Sequence, residues 1–206
     1  MIRTGLYAFA LLACLAGPAL AQDRMPAIPP EKYDAAQTQA AAEFLATRKV
    51  PVFGPFIPLI RSPEVMLRAK EMGDYLRYKT VLGDRLSEFT ILITAREWTQ
   101  DYEWLVHHPL ALKAGISPAI ADAIRDGRRP DGMNEDETLV YDFCIELHHN
   151  KRVSDAVYAK AVSRFGEKGV IDLVGINGYY TFLAMTLNTT RAEVPKDFAK
   201  LPRFPE

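Results

Sequence analysis

The stretch LSEFTILITAREWTQDYEWLVHHPLALKAG, residues 86–115, decides the fold. Its apolar residues recur at helical rather than alternating spacing, which predicts two successive helices. On the first, Glu88 shares a face with Ile91, Leu92, Ala95 and Thr99. On the second, Gln100, Glu103, His107, Ala111 and Ala114 fall on one face, so Glu103 and His107 sit one turn apart and point the same way. A carboxylate set in an apolar face has to be paired, hydrogen-bonded or protonated. Antiparallel packing after a tight turn brings Glu88 to the Glu103–His107 side and a shared cavity. Pro109 removes the hydrogen bond to the Leu105 carbonyl and disfavours helical geometry at His108, so a kink is expected beside the histidines.

Helix punctuation extends in both directions. Residues 31–49 have an Ala-rich helical composition, and 50–63 read VPVFGPFIPLIRSP, an ordered apolar loop by its proline spacing. Ser62-Pro63-Glu64 supplies an N-cap, a proline at the first helical position and an acid in the first turn, opening a helix that reaches about Leu82-Gly83. Ser117-Pro118 opens a short helix closed by Gly127, Asn134 with Glu137 forms a capping box, and Ser154 caps a helix that Gly166 stops. The last helix, about residues 168–189, is apolar on most sides and reads as buried in the domain or between subunits; Asp172, Asn177, Gly175 and Gly178 argue against a membrane span. With no strand alternation or hairpin signal, the class is all-α, a single helical bundle.

The chain has 206 residues, 25 Lys+Arg against 26 Asp+Glu and 49% hydrophobic residues, enough for one well-buried domain and too apolar for disorder. A net charge of −1 removes the field that nucleic-acid binders depend on. Residues 1–21 combine Arg3, an apolar run and Ala19-Leu20-Ala21, the form of a secretory signal peptide cleaved after Ala21 and leading to a periplasmic or secreted protein. The weaker alternative is a lipid-attachment box at Leu11-Leu12-Ala13-Cys14. The apolar run falls short of a spanning helix, so no stable membrane insertion is expected. The chain then divides into a linker and helical arm over 22–50, a domain over 51–194 and a tail over 195–206. Of two cysteines, Cys14 leaves with the leader, and core packing is the simplest role for Cys144.

An acid–imidazole pair in an apolar cleft moves protons near neutral pH, because imidazole titrates there and a neighbouring carboxylate fixes its tautomer. Glu88, Glu103 and His107 are therefore the catalytic candidates, against the plainer reading of an ordinary helical Glu–His pair. The same three as metal ligands is the weaker reading, since no two-His helical motif is present, and neither a metal nor another cofactor is expected. His148 and His149 lie about 100° apart on a helix end and read as surface or cap residues.

At these residues the chain resembles the carboxymuconolactone decarboxylase family, whose other main branch is the alkylhydroperoxidase D-type peroxidases. The resemblance covers about residues 53–194 and rests on GPFIPLIRSPEV, Glu88 with the IL-x-x-A-R that ends at Arg96, Glu103-Trp104-x-x-His107, Ala114-Gly115, Val153-Ser154-Asp155 and Gly178-Tyr179-Tyr180. It implies a helical homotrimer or homohexamer acting on a small-molecule substrate. At the positions where the peroxidase branch carries its two cysteines, this chain has Gln100 and Glu103, so a thiol-peroxidase cycle lacks its nucleophile. By analogy with the decarboxylase branch, His107 is the general acid/base and Glu88 or Glu103 orients it or takes a proton. Arg96 or Arg61 holds a substrate carboxylate, with a structural salt bridge an equal alternative for Arg96. Trp104, Phe56 and Tyr180 line an apolar wall or pack in the core. Carboxymuconolactone itself is a cytoplasmic intermediate, so an exported member is expected to keep the reaction type and differ in substrate. A non-catalytic oligomeric ligand-binding protein is the alternative.

Overall fold

The computed structural model describes residues 23–195 and 197–203. The expected leader, its cleavage point after Ala21 and Cys14 lie outside the described residues. Eight α-helices occur among the described residues, with no strand: α1 (Ala35–Arg48), α2 (Phe56–Leu59), α3 (Pro63–Tyr78), α4 (Gly83–Glu97), α5 (Asp101–Lys113), α6 (Pro118–Arg125), α7 (Glu135–Asn150) and α8 (Asp155–Thr190). The all-α class is as expected.

The middle of the bundle is α4. Every residue from Leu86 to Arg96 is buried, because α3, α5, α6, α7 and α8 all pack against it. Phe89, Ile91, Leu92 and Ile93 meet the inward faces of α7 and α8, including Phe143, Leu173, Ile176 and Leu183, in one core. The helix buried all round is therefore α4. Instead, α8 keeps Ile171, Val174 and Met185 exposed while its opposite face enters the core. Although α8 has the length and hydropathy of a membrane span, 56% of its most apolar window is buried inside the bundle.

Several helix boundaries follow the capping chemistry. Asn134 and Glu137 exchange the two bonds of a capping box, and Ser117 and Ser154 accept from the backbone N–H groups of Ile120 and Val157. Gly166 interrupts α8 at φ 71°, ψ 171°, a conformation suited to glycine. Other boundaries differ. Ser62 makes no side-chain cap bond, and Pro63 at the first helical position marks the start of α3 instead. That helix stops at Tyr78, and Gly83, expected near its end, opens α4. The proline-rich loop contains the single turn α2, because Pro58 lies where a helix has no internal N–H bond to lose. Pro109 is contained within α5, which runs on to Lys113.

Both ends of the described residues are tied to the bundle. The backbone N–H and guanidinium of Arg24 reach the Thr190 and Thr189 carbonyls at the end of α8. In the tail, Leu201 is buried, and its N–H donates to Asp101 Oδ1 at the start of α5 over 2.9 Å.

Candidate active site

Three residues, Trp98, Thr99 and Gln100, turn the chain from α4 into α5. Thr99 adopts φ 46°, unusual for a β-branched residue, and its hydroxyl accepts from the Arg96 guanidinium at 3.2 Å. Gln100 caps α5 by accepting from the Tyr102 N–H at 2.7 Å and donates its own amide to Asn188 Oδ1 at 2.7 Å. Asp101 is held by the tail, through Leu201 and the Arg203 guanidinium. The first turn of α5 is thus fixed on α4, on α8 and on the segment around Leu201 and Arg203.

This docking sets His107 between two carboxylates. Its Nδ1 lies 2.6 Å from Glu88 Oε2 of α4, and its Nε2 lies 3.5 Å from Glu103 Oε2, one turn back on α5. A carboxylate only accepts, so with Glu88 ionised the Nδ1 nitrogen carries a proton, and in the neutral ring Nε2 is then the lone pair facing Glu103. Glu103 Oε1 is buried and has no hydrogen-bond partner among the described residues. Burial pushes the Glu103 carboxyl above the ordinary carboxylate range and the Glu88 charge adds to this, while His107 and Arg77 oppose it. A neutral Glu103 is a donor able to supply Nε2. The two carboxylates flank opposite edges of one ring rather than converging on a point, a poor arrangement for a metal centre.

Tyr180 of α8 closes the site from a third helix, with its ring edge-on to His107 at 5.0 Å between centroids. Burial drives its phenol well above the usual value, keeping it neutral. Trp104 stacks on His108 at 5.5 Å. Phe56 belongs to a cluster with Phe44 and Phe53, with the Arg48 guanidinium 5.3 Å above its ring. Neither proposed arginine reaches the carboxylate–imidazole group. Arg61 is exposed and donates to the Pro26 carbonyl at 2.7 Å, clipping the N-terminal segment, while Arg96 donates to the Pro202 carbonyl at 2.9 Å.

The cation that the structure does bring there is Arg77 of α3, with Nη2 4.0 Å from Glu88 Oε1. The inward stripe Met66, Ala69, Lys70, Gly73 and Leu76 ends beside it, which is the signal available in the sequence. His148, expected at the surface or in a cap, is partly buried and reaches Thr94 Oγ1 at 3.4 Å, whereas exposed His149 meets Glu97 at 2.8 Å. Cys144 is free and buried, its thiol pushed up to about 12 chiefly by burial.

The side chains of Glu103 and His107 are each 3% exposed, Glu88 12% and Arg77 18%, so the Arg77–Glu88 edge is the side open to solvent. Open clefts lie elsewhere on the chain. One of about 670 Å³ runs between the start of α5, the end of α8 and the tail, lined in part by Asp101, Asn188, Arg191 and Arg203. The chain matches no family model and no curated protein.

Proposed function

We propose that this protein is an acid–base enzyme, a lyase or isomerase needing no cofactor, that acts on a small carboxylated or lactone-like molecule. The observation that carries the reading is the imidazole of His107 held between Glu88 at 2.6 Å and Glu103 at 3.5 Å in a buried setting. Glu88 fixes the tautomer and stabilises the imidazolium, leaving Nε2 as the working nitrogen. Glu103, favoured in its neutral form, passes its proton to Nε2 and regains one from water after each turnover. In a decarboxylation, the bond to the departing carboxylate carbon breaks, its electron pair enters the conjugated system as a dienolate, and CO₂ leaves. The imidazolium of His107 then gives the proton received from Glu103 to carbon through Nε2, returning to the neutral ring. The resemblance to the decarboxylase branch of the carboxymuconolactone decarboxylase family supports this reaction class, and with it membership of that family, export to the periplasm and assembly as a homotrimer or homohexamer.

Thiol-peroxidase chemistry fits poorly. Gln100 and Glu103 stand where that branch needs sulfur, and a buried thiol with a pKa of about 12 presents almost no thiolate. Because the carboxylate–imidazole group is nearly closed and open clefts lie elsewhere, a second reading is a ligand-binding protein that has kept the pair for structure.

The test is a panel of unsaturated lactones and carboxylic acids assayed in D₂O for CO₂ release and for deuterium entering at carbon. His107→Gln and Glu88→Gln are expected to lower turnover by roughly 10²–10⁴-fold, the range for loss of a general acid/base. Turnover that survives both changes rules the reading out. Binding without conversion by the unaltered protein across the panel favours the second reading.

A further inference from the structure

We propose that Arg77 is the anchor for the carboxylate of the substrate, a planar unsaturated monoanion that enters at the Arg77–Glu88 edge. The inference rests on the acid–base reading above and names its substrate class. Other cations of the bundle buried against carboxylates are hydrogen-bonded. Arg48 meets Asp74 at 2.8 Å, and Lys70 meets the same carboxylate at 3.0 Å. Arg77 differs. Its nearest carboxylate oxygen is 4.0 Å away, beyond hydrogen-bond distance, and its Nε, like that of Arg48, is buried without a hydrogen-bond partner among the described residues. A guanidinium carries five N–H donors in a planar fork, and leaving the buried Nε–H of Arg77 unsatisfied is costly. A ligand carboxylate supplies what is missing, two acceptor oxygens in the matching plane.

The surroundings set the class of anion. Glu88 already balances the charge of Arg77, so a monoanion is admitted more readily than a dianion such as phosphate. Aromatic faces flank the guanidinium on the Tyr78 side, 5.1 Å from that ring centroid, and the Tyr180 ring borders His107 beyond Glu88. Such walls suit a flat conjugated skeleton. Burial opposes the Arg77 charge, but the Tyr180 and Tyr78 phenols and the carboxylates of Glu88 and Glu103 outweigh it and hold its pKa above the ordinary guanidinium value. Arg77 and Glu88 keep the most exposure in the group, so an incoming anion meets the guanidinium before it meets His107.

The experiment uses crotonate and its neutral isostere crotonamide, titrated into the unaltered protein with ¹⁵N-labelled histidine, following the His107 ring signals by NMR. Crotonate is expected to shift those signals saturably, and crotonamide to bind at least tenfold more weakly. Arg77→Gln should weaken crotonate at least tenfold. Arg77→Lys, which keeps the charge and loses the fork, should fall between and serves if the glutamine variant does not fold. Equal binding of acid and amide, unchanged affinity in Arg77→Gln, or no crotonate response at His107 overturns the proposal. This readout requires no turnover, so the anchor can fail while His107→Gln still abolishes catalysis, and the reverse.

Discussion

A carboxyl group withdrawn from water prefers its neutral form, and Glu103 carries a measurable consequence of that preference. With its folded pKa raised, the native state holds a proton that the unfolded chain releases at the ordinary carboxylate value. Stability therefore falls as pH rises from that ordinary value through the raised one. Glu103→Gln has no such proton to lose. Urea unfolding across a pH series should show the unaltered protein losing ground to the variant on the alkaline side of that window. Parallel pH profiles for the two proteins would contradict the buried neutral acid. At this scale Glu88, Glu103 and His107 were legible in the sequence, because one helical period places them on defined faces and a charge on an apolar face demands a partner. Arg77 was missed: the apolar stripe of α3 marks its face, but the carboxylate it meets depends on how α3 lies against α4. For the same reason Arg61 and Arg96 have partners in the N-terminal segment and the tail that only the folded chain reveals.

Elements were legible where a residue type has a single conformational use. Gly166 is such a case, since its dihedral angles suit glycine and a methyl group added there would meet open space. The cost of Gly166→Ala is thus backbone strain without steric clash, about 1–3 kcal/mol. Chemical denaturation should register that loss, and a variant as stable as the parent would mean that α8 straightens freely at this point. Ser62 shows the opposite limit. Its sequence suits a cap, yet its backbone sits at φ −129°, ψ 80° and the hydroxyl makes no cap bond, because the turn α2 just before it directs the chain. Local chemistry offers a helix start, and tertiary packing decides whether the side chain uses it. The turn between α4 and α5 was likewise unreadable in detail, as Thr99 holds a positive φ that its residue type disfavours.

For the molecule as a whole, apolar side chains remain on the outside of two helices that pack together. Val65, Met72, Tyr75 and Tyr78 on α3 and Ile171, Val174 and Met185 on α8 are exposed. Larger exposed apolar areas mark association surfaces, which accords with the proposed homo-oligomer. Ile171, 68% exposed, is the position to test. Sedimentation should give the parent a mass that is a multiple of the subunit, and Ile171→Glu should shift it toward one subunit. A parent already at the mass of one chain defeats the expectation. Composition and punctuation gave the all-α class, but the central place of α4 and the two-faced character of α8 come from packing, since both helices are rich in apolar residues.

The hydrogen bond from His107 to Glu88 joins residues 19 positions apart on separate helices. Neither helix holds the pair without the other. Mild heat or acid that loosens the seam between α4 and α5, while leaving each helix wound, would break this hydrogen bond and spare the far-ultraviolet circular dichroism. The bond thus acts as a gauge of native side-chain order, failing first in a partly molten protein that still looks helical.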